Sequence, residues 1–361
     1  MKKYSRVLLT SVLALSIFGI IMIYSSSNVW ASYKYNNPYK FLIFQSIFFV
    51  IGIILIFILR KLDYKLYYKH ATKILFICFL LLVLVLIPGI GSIRNGSRSW
   101  FGVGGLGIQP SELAKIGLII FTAKYLSTNE KEMRSIKKGV LPIFLVIIIF
   151  FSLILLEPDF GSAMVITVTL MAMIFISNAK ISLFIGTIIV GLLGIAALVI
   201  IAPYRMARIV SFLNPWVDPL GSGFQIIQSL YAIGPGGILG MGFMNSRQKN
   251  FYLPEPQTDF IFSIISEEFG FLGVLIVVGL FFLMFYSSTK MFFKTKELFA
   301  KYLIFGLSFE IILQALLNLF VVVGLVPVTG VTLPFLSYGG SSLLVSMISV
   351  GIILNVTKNY I

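Results

Sequence analysis

Residues 252–262 read YLPEPQTDFIF and lead into an apolar run that continues to residue 285. About 20 consecutive apolar residues are enough to cross the hydrocarbon core of a bilayer, so this run predicts a transmembrane helix. Asp259 stands where the run begins. An ionisable side chain at the boundary between water and hydrocarbon is costly unless it is paired or used, so its position indicates a functional site.

The composition of the whole chain indicates a polytopic membrane protein. Hydrophobic residues make up 58% of the 361 residues and charged residues 11%, with a mean hydropathy of +1.02. Soluble domains are far more polar. We therefore predict an all-α fold in one transmembrane domain, residues 1–361, with about ten transmembrane helices. The predicted spans are residues 7–24, 41–59, 74–87, 111–126, 140–156, 160–177, 181–201, 260–285, 302–323 and 341–357.

Two connections between these spans have distinctive sequences. Pro158 and Gly161 predict a tight hairpin between the fifth and sixth spans. The longest connection is a large extracytoplasmic loop between the seventh and eighth predicted transmembrane helices, at about residues 202–258. The first apolar segment has a basic start, as signal peptides do, but Val29-Trp30-Ala31 is a poor cleavage site, so we interpret the segment as a span.

Lysine and arginine residues orient the bundle, because short loops rich in them remain on the cytoplasmic side. With the N- and C-termini cytoplasmic, the cytoplasmic segments contain 19 of the 28 basic residues but only 4 of the 13 acidic residues. These segments therefore account for the net charge of +15. The charge indicates orientation and contact with anionic lipid rather than binding of nucleic acid.

The scarcity of two residue types excludes several kinds of catalytic site. His70 is the only histidine and Cys78 the only cysteine, so the chain cannot form an internal disulfide, a Ser-His-Asp triad or a His/Cys metal site. The sequence also contains no Walker loop and no Asp-x-Asp pair for a metal-bound nucleotide sugar. An enzyme built on this chain must use carboxylates, arginines and hydroxyl groups.

The first polar outer segment runs from Arg94 to Lys115. Gln109-Pro110-Ser111-Glu112 opens the fourth span, and its residue types are ordinary at a helix start, which favours a structural role for that motif. Arg98 and Lys115 are harder to explain in structural terms. In the second segment, Glu157-Pro158-Asp159-Phe160-Gly161, a turn accounts for Pro, Asp and Gly. Two carboxylates still exceed what a turn requires.

The third segment is the long loop at 202–258, which contains Arg205, Arg208 and two glycine-rich stretches. Arginines offer paired donors to a phosphate or diphosphate, and glycines let main-chain N–H groups approach an anion. Arginines that contact lipid headgroups, with glycines that only turn the chain, explain the same residues equally well.

The loop ends in the run that carries Asp259. Pro254 and Pro256 should delay the helix start, and Thr258 should cap a helix that begins at Asp259. A carboxylate there is also explained as an acid that interacts with the helix dipole. Glu267 and Glu268 follow two turns deeper, and three acids within ten residues of a membrane helix favour a functional role.

The fourth segment, residues 327–342, is uncharged and rich in Pro, Gly and hydroxyl residues. Such a sequence between two spans predicts a loop that dips back into the protein, where it must be buried or line a wet cavity. Glu310, midway along the ninth span, should face the interior and pair with a cation.

Together these motifs resemble those of the SEDS family (shape, elongation, division and sporulation), which includes FtsW, RodA and SpoVE. The resemblance covers nearly the whole chain, and two stretches are more similar to FtsW and SpoVE than to RodA: Arg94-Asn95-Gly96 and Tyr252-Leu253-Pro254-Glu255-Pro256. The family often has Gln where this chain has Glu157, and Thr in place of Ser162. The motifs that carry the resemblance are Arg98-Ser99-Trp100, Gln109-Pro110-Ser111-Glu112, Glu157-Pro158-Asp159-Phe160-Gly161, Asn214-Pro215, Leu253-Pro254-Glu255, Thr258-Asp259-Phe260-Ile261-Phe262 and residues 327–342.

The resemblance implies a peptidoglycan glycosyltransferase that polymerises lipid II outside the cytoplasmic membrane of a bacterium, in cell division or a related wall-synthesis programme. It places the family's essential aspartate at Asp259. The chemistry agrees, because glycan extension needs a base for the acceptor sugar hydroxyl while the donor anomeric carbon loses undecaprenyl diphosphate. By analogy with inverting glycosidases, we expect inversion by direct displacement, with Asp259 as the general base.

Further site residues and partners follow from the same comparison. A class B penicillin-binding protein is the expected transpeptidase partner, beside other division or elongation proteins and membrane lipids. A divalent cation, Mg²⁺ or Mn²⁺, is a hypothesis without assigned ligands, and no other cofactor is expected. The candidate substrate-binding residues are Arg98, Lys115, Arg205 and Arg208, for the diphosphate charge, with Glu255, Ser337 and Ser341.

Two other functions fit part of the pattern. A flippase that transports lipid-linked precursors would also have Pro- and Gly-broken spans and a polar interior, although the sequence has no internal repeat. A scaffold that recruits division enzymes needs no catalytic site. Polymer formation by the purified protein separates both from a glycosyltransferase.

The predicted orientation has a direct test. Residue 259 should face the periplasmic or wall side, so a label placed there should react with an impermeant reagent added from outside the cell. Reaction from the cytosolic side alone would contradict the orientation and the assignment of Asp259 with it.

Overall fold

The computed structural model describes residues 1–94, 96–102, 107–177, 179, 180, 184, 186, 191, 193, 194, 200 and 203–358. These ranges contain one β-hairpin, β1 (Ser92–Arg94) and β2 (Ser97–Trp100), which the sequence did not predict. Eleven α-helices lie in the same ranges. They are α1 (Lys2–Tyr35), α2 (Lys40–Leu59), α3 (Lys65–Leu86), α4 (Pro110–Thr128), α5 (Leu141–Leu156), α6 (Phe160–Phe175), α7 (Pro203–Leu213), α8 (Phe224–Ile233), α9 (Ile261–Lys294), α10 (Leu298–Val322) and α11 (Gly340–Lys358).

The helices confirm the all-α, multi-pass architecture. Nine of the ten predicted spans coincide with a helix, and the seventh, at 181–201, lies almost entirely outside the described residues. Within the described ranges, seven helices are long and apolar enough to cross a membrane: α1, α2, α3, α5 with the turn before it, α9, α10 and α11. The long loop at 202–258 contains α7 and α8, which the sequence analysis did not separate from the rest of the loop.

The fourth and sixth predicted spans, helices α4 and α6, are shorter or more polar than these seven helices. Helix α6 has 16 residues, about 24 Å at 1.5 Å per residue, which is less than the hydrocarbon thickness. Helix α4 carries Glu112 and Lys115, and the structure buries both. The Lys115 Nζ lies 3.0 Å from a Glu112 oxygen and 2.8 Å from a Glu310 oxygen on α10, and it donates to Gln314 Oε1 at 2.6 Å. Glu310 thus finds the interior cation that the sequence predicted.

Helix α10 lies at the centre of the bundle. It packs against α4, α6, α9 and α11, while α1 packs against α9, α2 against α11, and α3 against α4. Most of α11 is buried, whereas α2 and α3 expose a broad apolar face, as expected of helices that contact lipid.

Helix α9 is broken at Gly270, where φ is 60° and ψ is −156°. Glycine adopts this backbone conformation without the Cβ clash that other residues would meet. The N–H groups of Phe271 and Leu272, which the break deprives of helical partners, donate instead to the carbonyls of Gly237 and Ile238 at 2.9 and 3.1 Å. The glycine-rich part of the long loop therefore completes the hydrogen bonding of α9.

Glu267 and Glu268 hold the next part of the same loop. Glu267 accepts hydrogen bonds from the Ser246 hydroxyl at 2.5 Å and from the Arg247 N–H at 2.8 Å. Glu268 is fully buried, forms an ion pair with Lys249 at 3.2 Å, and accepts from the Ser25 hydroxyl of α1. These two acids join α9, α1 and residues 246–249, which explains their presence in structural terms.

The segment between α10 and α11 is non-helical and is buried at residues 331 and 333–337, as predicted for a loop that re-enters the protein. We call residues 323–339 the re-entrant segment. Its polar main chain is satisfied partly by Gln45 of α2, whose side chain donates to the Ser337 carbonyl at 3.2 Å and accepts from the Gly339 N–H at 3.3 Å.

The buried ion pair predicts a large effect on stability. Replacing Lys249 with Met should lower the free energy of unfolding by about 3–5 kcal/mol, because Glu268 is left buried without a cation. Thermal unfolding of the purified protein in detergent measures the change. Lys290→Met alters an exposed lysine on α9 and should have little effect; equal losses in the two variants would contradict the assignment.

Candidate active site

Several helices begin at one end of the bundle, and polar side chains connect their first residues. Gln109, just before α4, donates its side-chain N–H to Asp159 Oδ2 at 2.9 Å, and Asp159 caps α6 by accepting from the Ser162 N–H at 3.0 Å. Ser341, in the first turn of α11, accepts from the Gln109 N–H at 3.1 Å and donates to the Gly107 carbonyl at 2.8 Å. The starts of α4, α6 and α11 therefore meet here, with their positive dipole ends at the same place.

Asp259 lies at this end and is half-buried. Helix α9 begins at Ile261, with Phe260 at its N-cap position, so Asp259 precedes the helix by two residues. The prediction that Thr258 caps a helix starting at Asp259 was wrong. The Thr258 hydroxyl donates to the Glu255 carbonyl at 2.8 Å, which closes a turn within residues 255–258 instead.

Three successive carbonyls of the Asp259 run accept hydrogen bonds from neighbouring parts of the protein. The Gln257 carbonyl accepts from the Tyr338 N–H at 2.8 Å, and the Thr258 carbonyl accepts from the Ser337 hydroxyl at 2.6 Å. The Asp259 carbonyl accepts from Asn318 Nδ2 at 2.7 Å. The main chain under the carboxylate is therefore held by the re-entrant segment and α10.

The side chain of Asp259 lies beside Gly330 of the re-entrant segment. The position of a Cβ on Gly330 would be 3.7 Å from Asp259 Oδ2, and the φ of Gly330 is 74°, which favours glycine. On the other side of the segment, Gly161 at the start of α6 permits close contact, because a Cβ there would lie 2.8 Å from the Thr329 carbonyl oxygen. The two glycines bring α6, the re-entrant segment and Asp259 together.

Glu157 lies at the edge of this region, directly after α5. Its side chain is fully buried, and neither carboxylate oxygen has a hydrogen-bond partner within the described residues. Burial, and secondarily the charge of Asp159, raises the pKa of Glu157 from 4.5 to about 9. Ser97 of β2 donates to the Glu157 carbonyl and so attaches the β-hairpin to the end of α5.

The other acids of the outer segments have structural partners. Asp159 caps α6, Glu112 pairs with Lys115, and Glu267 and Glu268 bind residues 246–249. The exposed Asp218 accepts from the Ser222 N–H at 2.8 Å in its own turn. Asp259 and Glu255 are both partly exposed and lie on the same run.

The structure separates the cationic candidates. Arg98 lies on β2, half-buried, at the same end of the bundle as Asp259.

Lys115 is only 3% exposed and is surrounded by Glu112, Glu310 and Gln314, so it supports the bundle rather than offering its charge to a diphosphate. Arg205 and Arg208 lie on α7, but their side chains are outside the part of the chain that is described.

Two candidate serines have defined positions. Ser337 holds the Thr258 carbonyl and accepts from the Leu333 N–H at 2.8 Å, and Ser341 connects α11 to Gly107 and Gln109. Both hydroxyls therefore make internal contacts next to the site. A role in binding substrate would be indirect for Ser337, through the main chain of the Asp259 run.

Sequence reasoning missed three buried amides: Gln45, Gln314 and Asn318. Each lies inside a predicted span and is at most 2% exposed. Each also binds the re-entrant segment: Gln314 Nε2 donates to the Thr332 carbonyl at 3.0 Å, and Asn318 Nδ2 donates to the Val331 carbonyl at 2.8 Å. Attention to uncharged polar residues inside spans, and not to charges alone, would have found them.

A metal held by protein groups does not fit the part of the chain that is described. No group of three His, Cys, Asp or Glu side chains there is arranged to bind an ion. We therefore assign no step of the chemistry to a divalent cation.

Comparison with protein families gives a match over nearly the full length. The model of the FtsW/RodA/SpoVE family, described as "Cell cycle protein", matches residues 5–360. The chain is 48% identical over 359 residues to the stage V sporulation protein E of Bacillus subtilis (strain 168), which covers 99% of this chain and 98% of that protein. It is 41% identical over 355 residues to the "Probable peptidoglycan glycosyltransferase FtsW" of Trichlorobacter lovleyi, with coverage of 98% and 93%.

Solved structures share the fold. A chain from a peptidoglycan synthase complex, studied for the coordination of polymerization and crosslinking, superposes with a TM-score of 0.80 at 32% identity, over 98% of this chain and 97% of that one. The rod shape determining protein RodA of Thermus thermophilus superposes with a TM-score of 0.72 at 28% identity, over 98% and 96%.

The buried Glu157 predicts a pH dependence of stability. The unfolded chain releases this proton near pH 4.5, whereas the folded protein keeps it up to about 9. The free energy of unfolding should therefore fall as the pH rises between these values, by up to about 1.4 kcal/mol per pH unit from this group. Unfolding temperatures at pH 6 and pH 8 measure the slope.

Glu157→Gln removes the titrating proton and should be more stable than the wild type at pH 8, with a smaller difference between pH 6 and pH 8. The control Glu132→Gln, at an exposed acid, should keep the wild-type slope. A slope unchanged in Glu157→Gln would show that another group is responsible.

Proposed function

This chain belongs to the FtsW/RodA/SpoVE family, and we propose that it acts as a peptidoglycan glycosyltransferase that polymerises lipid II, with Asp259 as the general base. Its fold and its similarity over nearly the whole length to proteins named for this activity support the proposal. The observation that carries the choice of base is the half-buried Asp259 on a main chain held at three successive carbonyls.

The carboxylate has the chemistry that chain extension needs. Asp259 accepts the proton of an acceptor sugar hydroxyl as that oxygen bonds to the anomeric carbon of the donor. The bond from the anomeric carbon to the diphosphate breaks in the same step, and the electron pair leaves with undecaprenyl diphosphate. Attack opposite the leaving group inverts the anomeric centre, as in inverting glycosidases.

The leaving diphosphate is an anion, and positive potential at this end of the bundle would stabilise it. The starts of α4, α6, α9 and α11 supply partial positive charge from their helix dipoles. We assign Arg98 to direct contact with the diphosphate, together with Arg205 and Arg208 of the neighbouring loop. Lys115 acts indirectly by keeping α4 beside α10. Glu255 and Ser341 remain candidates for contact with the sugar.

The site faces the outer side of a bacterial cytoplasmic membrane in this proposal. The basic cytoplasmic segments support that orientation, because they place the starts of α4, α6, α9 and α11 outside.

Polymerised strands must then be crosslinked, so we propose a class B penicillin-binding protein as the partner. The solved relative that belongs to a peptidoglycan synthase complex supports such an assembly. Division, elongation and sporulation all use this chemistry, and we place the protein in division or a related wall-synthesis programme.

The proposal predicts that Asp259→Asn lowers polymerisation at least about 100-fold, since general base catalysis typically contributes 10²–10⁴. The assay is the formation of glycan strands from lipid II by the purified protein with its transpeptidase partner in detergent. Asp218→Asn is the matched control, because it removes the charge of an exposed acid in the same loop, and it should polymerise normally.

Normal polymer formation by Asp259→Asn would refute the assignment of the base. Absence of polymer from the wild-type protein, combined with movement of lipid II across vesicle membranes, would instead favour the transporter.

A further inference from the structure

Asn318 lies in the last two turns of α10 and makes two contacts that meet at the candidate active site. Its side chain is fully buried. Nδ2 donates one hydrogen bond to the Asp259 carbonyl at 2.7 Å and another to the Val331 carbonyl at 2.8 Å. Oδ1 has no hydrogen-bond partner among the described residues. The amide is thus used for its two donors.

These two contacts join non-helical segments from different parts of the chain. Asp259 precedes α9, and Val331 follows Gly330 in the re-entrant segment, whose Cβ position is 3.7 Å from Asp259 Oδ2. A single NH₂ group bound to both carbonyls fixes the separation of the two strands of main chain. The depth of the carboxylate relative to the re-entrant segment then depends on Asn318.

Neighbouring polar residues on α10 hold the part of the helix that carries Asn318. Glu310, Gln314 and Asn318 are spaced by four residues, so they lie on one face of α10. Gln314 accepts from Lys115 at 2.6 Å and donates to the Thr332 carbonyl at 3.0 Å, while Glu310 pairs with Lys115 at 2.8 Å. Gln314 and Asn318 therefore bind the adjacent carbonyls of Thr332 and Val331, and Gln314 is in turn held by the buried Lys115.

We infer that Asn318 is a positioning residue for Asp259: it sets where the carboxylate stands against the re-entrant segment and so controls the rate of glycosyl transfer. The inference rests on the proposed function, in which Asp259 is the base. It assigns Asn318 no contact with substrate. Proton abstraction requires the base within hydrogen-bond reach of the hydroxyl, and a displacement of 1 Å is enough to cost about 10²-fold in rate.

A different role would be general stabilisation, in which Asn318 only satisfies two buried carbonyls. The chain contains a matched example of that role. Asn355 of α11 is also buried, and its Nδ2 donates to the Leu59 and Arg60 carbonyls at 2.9 and 3.2 Å and to the Leu62 carbonyl, at and just after the end of α2. Asn355 thus makes the same kind of hydrogen bonds to buried carbonyls, far along the chain from Asp259. It serves as the control.

The test compares Asn318→Asp with Asn355→Asp in the full-length protein with its transpeptidase partner. Each change replaces an NH₂ donor with an oxygen that repels the carbonyls it faces. We expect Asn318→Asp to lower the kcat of lipid II polymerisation at least 10-fold with KM changed less than 2-fold, because transition-state geometry is affected and binding is not. In Asn355→Asp both constants should remain within 2-fold of the wild type.

A second readout does not depend on activity. In a Cys78→Ser background, Asp259→Cys reports the exposure of position 259 through its rate of reaction with an impermeant maleimide. Adding Asn318→Asp should change that rate at least 3-fold, whereas adding Asn355→Asp should leave it unchanged. If Asn318→Asp does not fold, Asn318→Ser is used for both measurements, because a serine hydroxyl has one donor and is too short to bridge the two carbonyls.

A wild-type kcat in the Asn318 variant, or an equal loss in both asparagine variants, would overturn the inference. An unchanged maleimide rate would do the same. These outcomes leave the proposed function intact as long as wild-type protein polymerises lipid II and Asp259→Asn does not. Polymerisation by Asp259→Asn would refute the proposed base itself.

Discussion

The architecture depends on one constraint: polar main chain at membrane depth must find its hydrogen-bond partners inside the protein. The re-entrant segment and the run before α9 are both non-helical, and each supplies what the other lacks. Tyr338 and Ser337 donate to the carbonyls of Gln257 and Thr258, and Asn318 joins Asp259 to Val331. Because neither segment is satisfied alone, the two form one unit, and Asp259 is built into it.

The same constraint explains why polar side chains cluster on α9, α10 and the loop that precedes them. The break at Gly270 frees N–H groups that residues 236–242 must satisfy, and Glu267 and Glu268 bind residues 246–249 a few residues later. The long loop is therefore attached to α9 on both sides of the break. Its glycines serve this attachment, which adds a structural purpose to the two explanations that the sequence left open.

The sequence predicted features that follow from composition and periodicity, and it failed where a tertiary partner decides the outcome. Apolar runs gave nine of the ten spans at positions where helices form, and Pro158 with Gly161 gave the hairpin before α6. Thr258 looked like a helix cap, but α9 begins at Ile261, and the Thr258 hydroxyl closes a turn with the Glu255 carbonyl while Ser337 of the re-entrant segment binds the Thr258 carbonyl. Lys115 looked available to an anion, yet Glu310, 195 positions along the chain, pairs with it. No local pattern reveals such a partner.

A general base must satisfy two conflicting requirements: a fixed position, and a carboxylate that can accept a proton. Hydrogen bonds donated to a carboxylate fix it but also stabilise its charged form, which makes it a weaker base. The structure fixes the main chain that carries Asp259 through bonds to the carbonyls of residues 257–259, and these three bonds do not use the carboxylate oxygens. Asp159, Glu267 and Glu268, which have structural roles, are held by bonds to their carboxylates. These three bonds therefore fix the position of the proposed base without engaging its carboxylate.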